Sequence, residues 1–294
     1  MFEKKKTKTR FMKNILFPTD FSDAAETAFI YALHLADKVG ATITLLHVYI
    51  KPEVKGMLPH TLSEFYASYD LDEFQNYKDS IPPLREIQEA NGFSHVNVVH
   101  LLKPGSKIVP NIIQTAKEEA ADMIIMGTTG ARGLKGIFLG SIAGEVLENA
   151  ECPVMAIPEK AVFDGEIDHL AFTTTFKEEE KKALEKVIGL LSSFHPEIHC
   201  INVDLAHTES ITHRMDAFKA SFQDKGNLFF HVLEDNDLKK AITDFLEEKQ
   251  IDVLAMVTHK RNFLEELFSY SRTKMMSYHS HTPVLSIPAH TLEG

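Results

Sequence analysis

Four residues carry the strongest chemical signal in the chain: Gly127, Gly130, Gly140 and Ser141. They follow an apolar run, Met123-Ile124-Ile125-Met126, which empties into Gly127-Thr128-Thr129-Gly130; after nine intervening residues comes Gly140-Ser141. Glycines at a strand end let the backbone turn tightly and aim its N–H groups at one point, which suits an anion. The segment from Ser141 to Leu147 has helical spacing, so a phosphate here would meet both loop amides and a helix N-terminus. The chemistry expected is nucleotide phosphate binding.

Other residue types offer weaker candidates. His195, His199, His207 and His213 flank Cys200, and His279 and His281 precede the last apolar run, but no pair has HExxH or paired CxxC spacing, so structural or surface roles are expected and no metal set is assigned. Cys152 precedes a proline with no visible basic partner and reads as a buried, inert thiol. The run Glu178-Glu179-Glu180-Lys181-Lys182 reads as a solvated helix start. No lysine stands in G-x4-GK-[ST] order, and no catalytic residue is assigned.

The elements that must position the glycines follow from periodicity. Asn14-Ile15-Leu16-Phe17 reads as a strand ending at Pro18-Thr19-Asp20. Ser22 then caps a helix that Gly40 stops, and Thr42 to Val48 is a second strand. Strand, helix, strand at this length is a βαβ unit with parallel pairing. Ligands in such sheets sit beyond the carboxyl ends of the strands, which places Asp20, Val48 and Gly127 on one rim. Residues 51–62 read as a loop, 71–90 as helix broken by Pro82-Pro83, Val96-Asn97-Val98-Val99-His100 as a strand, and 108–120 as helix. Pro153-Val154-Met155-Ala156-Ile157-Pro158 closes the unit as an apolar edge strand open to pairing.

The order then begins again. Leu170-Ala171-Phe172-Thr173-Thr174-Thr175-Phe176 echoes 16–21, His199-Cys200-Ile201-Asn202-Val203 echoes 45–48, Ile251-Asp252-Val253-Leu254-Ala255-Met256 echoes 121–126, and Thr282-Pro283-Val284-Leu285-Ser286-Ile287-Pro288 echoes 152–158. Four ordered echoes imply a tandem of two α/β domains. A basic tail, 1–12, precedes a nucleotide-binding domain, 13–159, and a second domain, 167–290. Each is expected to be a Rossmann-like, mostly parallel five-stranded sheet with helices on both faces. The 294-residue length, with 44% hydrophobic and 25% charged residues, suits two globular domains and excludes disordered and fibrous classes. A net charge of −11 argues against broad nucleic-acid or anionic-membrane binding. No apolar run approaches the roughly 18 residues needed to span a bilayer. Two cysteines without CxxC spacing point to a reducing cytoplasm.

The pattern G-x2-G-x9-G-[ST], met by Gly127, Gly130, Gly140 and Ser141, resembles that of ATP-binding universal stress proteins. The opening Ile15-Leu16-Phe17-Pro18-Thr19-Asp20-Phe21-Ser22 and the closing Cys152 to Pro158 segment are similar to that family too, and the likeness recurs once per half. The resemblance implies ATP, or ADP or AMP, as ligand. Asp20, with Pro18 and Thr19 before it, would lie at the nucleoside end, and the backbone around Val48 would line the adenine. Gly127 and Gly130, with Met126 and Thr128, would let the backbone approach ribose and phosphates. Gly140, Ser141 and Ile142 would supply amides to the phosphate chain, joined by the Ser141 hydroxyl. Amide dipoles hold a triphosphate only in part, so Mg²⁺ or Mn²⁺ would share its charge and Arg132 or Lys135 would assist. The resemblance also implies an intramolecular pseudo-dimer through Val154-Met155-Ala156-Ile157 and Val284-Leu285-Ser286-Ile287, leaving further homo-oligomers open.

The second half departs from the pattern. Val257 stands at the Gly127 position, Lys260 at Gly130, Tyr270 and Ser271 at Gly140 and Ser141, and Thr175 at Asp20. Side chains there would occupy the space a phosphate needs, so one nucleotide site per chain is expected. The function expected is a nucleotide-responsive regulatory module in stress response, with little or no turnover and an unidentified partner protein. The alternative is an enzyme of the adenine nucleotide α hydrolase group that hydrolyses ATP or cleaves at the α-phosphate.

Overall fold

A computed structural model describes residues 12–128, 139–204, 209–223, 225–258 and 281–292. In the first half, β1 (Asn14–Pro18), α1 (Asp23–Val39), β2 (Thr42–Ile50), α2 (Pro59–Asp79), α3 (Ile81–Ala90), β3 (Val98–Gly105), α4 (Ile108–Glu118), β4 (Met123–Gly127), α5 (Ser141–Asn149) and β5 (Val154–Ile157) follow in order. The second half contributes β6 (His169–Thr173), α6 (Glu180–Leu190), β7 (Glu197–Val203), α7 (Glu209–Ala220), β8 (Leu228–Leu233), α8 (Leu238–Glu248), β9 (Val253–Thr258) and β10 (Val284–Pro288).

The strands form one ten-stranded sheet in the order β3-β2-β1-β4-β5-β10-β9-β6-β7-β8. Within each half every pairing is parallel, and each half runs in the Rossmann order 3-2-1-4-5 counted from its own first strand. The halves meet where β5 and β10 pair antiparallel, with Leu285 opposite Met155. Reversal at this joint puts the strand ends of the two halves on opposite edges of the sheet.

Helices cover both faces. Alternation along β1 sends Ile15 and Phe17 to the face packed by α1, α3, α6 and α7, and Leu16 to the face packed by α4, α5 and α8. Local signals explain the helix bounds. Ser22 accepts from the Ala25 N–H at the start of α1, and Gly40, at φ 68°, ends it in the left-handed region where a side chain is disfavoured. Among the described residues no helix is long and apolar enough to cross a membrane.

Several bounds differ from the sequence reading. Residues 59–62, expected in a loop, open α2, with Pro59 at its first position, where the missing N–H costs nothing. The break expected at the prolines falls at Ser80, between α2 and α3. β3 runs from Val98 to Gly105 instead of 96–100, and as an outermost strand it tolerates Pro104. β6 ends at Thr173 and β9 begins at Val253, the positions that the echoes set opposite Pro18 at the end of β1 and Met123 at the start of β4.

The joint is dry: Met155 and Leu285 are both fully buried. Leu285→Ala should lower the free energy of urea unfolding by about 3 kcal/mol through lost transfer energy and a residual cavity. Val162→Ala, at a position 88% exposed, should stay within about 0.5 kcal/mol of the parent.

Candidate functional site

The order of the first half reverses between β1 and β4, and the crevice beyond their carboxyl ends holds most of the expected residues. Thr19 prolongs the β1–β2 ladder by donating its N–H to Leu46 O at 2.9 Å. Phe21 then turns through φ 59°, held by its N–H donating to Thr19 Oγ1 at 3.0 Å. That turn brings Asp20 out to solvent, where its Oδ1 accepts from the Ser22 hydroxyl at 2.7 Å and the Ser22 N–H at 3.2 Å. His47, on the neighbouring strand, donates from Nδ1 to Thr19 O at 2.8 Å and packs against Phe21 and Tyr77. Pro18 is buried beneath this turn, and Val48, one residue past His47, is half-buried on the same rim.

Gly127 is the last residue of β4. A Cβ on it would stand 2.9 Å from the Ala24 carbonyl oxygen and 3.3 Å from Ala24 Cβ. Its glycine is therefore required by close approach of α1; it is not a left-handed turn position, which corrects the expectation that Gly127 serves to turn the loop. Met126 is buried beside it, and Thr128, also buried, donates its N–H to Ile157 O at 2.9 Å. The chain returns at Gly140, whose N–H donates to Thr128 O at 2.7 Å. This one bond seats the start of α5 against the end of β4. Gly140 is the N-cap residue of α5 and, being glycine, offers no side chain of its own to cap that end. Ser141 and Ile142 occupy the exposed first turn, where backbone N–H groups have no intrahelical acceptor. Gly130, Arg132 and Lys135 lie outside the described residues.

The same rim of the second half repeats the scaffold and closes it. Phe176 turns at φ 57° with its N–H on Thr174 Oγ1, the Thr174 N–H donates to Ile201 O, and Asn202 donates to Thr174 O as His47 does to Thr19 O. Thr175 stands at the Asp20 position. The buried Glu180 carboxylate accepts from Thr174 Oγ1 at 2.7 Å, from the Thr175 N–H at 2.9 Å and from the Lys177 N–H at 3.0 Å. Glu180 is thus no member of a solvated charge run: it is the chain's own anion, bound to the strand-end amides. Val257 is buried where Gly127 stands in the first half; Lys260, Tyr270 and Ser271 lie outside the described residues. His47, Asn202 and Glu180 were not singled out from sequence. The first two could have been found by asking which side chains at equivalent strand ends can both donate to a carbonyl.

The remaining candidates are the cysteines and histidines. Cys152 is half-buried and has Lys186 near enough to lower its pKa, but desolvation wins and pushes the thiol up to about 11. Cys200 is buried and raised further by desolvation. His199 lies within 4.8 Å, atom to atom, of His169 and Glu197, two residues the sequence gave no reason to group with it. His207 and His279 lie outside the described residues.

A doubly wound sheet with a helix start seated at its switch point defines a Rossmann-like α/β protein. The profile of the Universal stress protein family matches residues 12–158, half of the chain, and the chain belongs to that family. One universal stress protein of Methanocaldococcus jannaschii is 29% identical over 145 residues, covering 49% of this chain and 81% of that protein. A second from the same organism is 29% identical over 159 residues, covering 50% of this chain and 96% of its own. The solved structure of a universal stress protein from Archaeoglobus fulgidus covers 95% of this chain and 98% of its own with a TM-score of 0.67 at 20% identity, a likeness that shows the shared fold.

Close packing at Gly127 gives a direct test. Gly127→Ala should destabilise the protein by about 1–3 kcal/mol, because the new methyl meets backbone that cannot swing aside. Gly189→Ala, inside α6 with nothing within 4 Å of its Cβ, should stabilise by about 0.5–1 kcal/mol. Urea unfolding of both variants checks the pair.

Proposed function

We propose that the chain is an ATP-binding universal stress protein whose first half reports nucleotide occupancy to a partner protein, with little or no turnover. The observation that carries this reading is the seat of α5. The bond from Gly140 N–H to Thr128 O holds a helix N-terminus that starts at a glycine against the β1–β4 crevice, where amide dipoles attract a phosphate. Asp20, exposed on its turn, would accept from ribose hydroxyls and the Val48 backbone would meet an adenine edge, with the nucleoside lying outward from the phosphates. ADP and AMP share these contacts in part. Mg²⁺ or Mn²⁺ would neutralise the phosphate oxygens facing solvent.

In this reading the functional units are residues 13–159 and 167–290. The β5–β10 joint makes them an intramolecular pseudo-dimer with a single nucleotide site. Two features of the second half support the asymmetry: Glu180 already occupies the amides of the turn after β6, and Val257 carries a buried side chain at the position where Gly127, beneath the Ala24 carbonyl, has room for none.

The test is ATP titration and turnover on the full chain. Parent protein should bind ATP and release phosphate at no more than a trace rate. Gly140→Val, whose side chain would stand over the α5 amides, should weaken binding at least tenfold. Turnover at ordinary enzymatic rates that Gly140→Val abolishes would favour α-phosphate or ATP hydrolysis instead, and equal ATP affinity in parent and variant would refute the site.

A further inference from the structure

We propose that His169, Glu197 and His199 form a binding site for a divalent transition-metal ion of the zinc type in the second half of the chain. One donor atom from each lies within 4.8 Å of the other two. Strand register brings them together: His169 opens β6 directly opposite Glu197 at the start of β7, and His199 follows two residues on, so all three share one sheet face. Two imidazoles and one carboxylate are a ligand set that zinc and its neighbours accept, with a position left for water or a further ligand.

Two observations indicate that these nitrogens are presented to a ligand. His169 Nδ1 and His199 Nε2 are both shielded from solvent and, among the described residues, have no hydrogen-bond partner. Buried polar atoms left in that state cost free energy unless something binds them. His169 Nδ1 stands 3.6 Å from Glu197 Oε2, beyond a hydrogen bond. That separation is close to the about 3.4 Å expected between two ligands on a tetrahedral zinc with bonds near 2.0–2.1 Å.

The surroundings fix the tautomer required. His199 Nδ1 lies 3.1 Å from His231 Nε2. With the proton on Nδ1 donated to His231, the Nε2 lone pair of His199 is free for a metal, the arrangement in which an outer partner orients a ligating imidazole. Phe229 stacks on the His199 ring at 5.2 Å, and Phe245 of α8 closes against both His199 and His231. Lys249, the nearby cation, is paired with Glu248 at 3.0 Å. The Glu197 side chain is 53% exposed, which gives an ion a route in and lets the carboxylate rotate to tighten the set.

Nothing here depends on nucleotide binding: the ligands sit on β6 and β7, which β5, β10 and β9 separate from β4 and Gly127. The experiment uses untagged full-length protein stripped with a chelator and titrated with Zn²⁺ by calorimetry, with Co²⁺ absorption as a coordination signature. His169→Gln and Glu197→Gln change partly exposed side chains and leave the hydrophobic core intact; circular dichroism checks their folding. The expected result is one ion per chain at micromolar affinity or tighter, weakened at least tenfold in each variant, with a visible Co²⁺ band that the variants lose. Absence of one-to-one binding in the parent, or unchanged affinity in either variant, would overturn the site.

Discussion

Parallel strands leave all their carboxyl ends on one edge, and the point where strand order reverses leaves a gap there that no crossover helix can cover. This constraint organises the first half. It brings the β1–α1 turn, the end of β2 and the end of β4 to one rim. A glycine at the end of β4 is needed because the Ala24 carbonyl packs over it. Once the chain has crossed to Gly140, one bond to Thr128 is enough to aim the α5 amides into the gap.

The same constraint acts in the second half with the opposite result. Both turns are wound alike, down to a phenylalanine in the left-handed region, so the scaffold is held in common while the contents of the rim have diverged. In the first half the acidic group, Asp20, faces outward on the turn; in the second, Glu180 folds back onto the amides of Thr175 and Lys177. Charge-assisted bonds to backbone N–H groups are strong, and a nucleoside at this turn would have to compete with them. The antiparallel β5–β10 pairing places the two rims on opposite edges of the sheet, so the open and the closed rim do not face each other.

Much of this was legible in the sequence because the relevant signals are local. Apolar runs marked the strands, Ser22 and Gly40 marked α1, and four echoes in order marked the repeat. Elements with little burial were harder. α2 buries only Tyr77 among its described residues, so it has almost no apolar stripe to read, and β3 is an outer strand whose proline disguised its length. Contacts set by register were not legible at all. Glu180 looked like one more charge in an acidic run, and His169 is 30 residues from His199; only the pairing of β6 with β7 shows that they share a face. Gly127 was found for its position in a motif, while the reason it must be glycine lies in Ala24, more than a hundred residues earlier.

The central claim is that one rim of two is open to an adenine nucleotide. Calorimetric titration of the full-length chain with ATP in the presence of Mg²⁺ measures this directly through its stoichiometry. One nucleotide per chain is the predicted result. No binding, or two nucleotides per chain, would contradict the account.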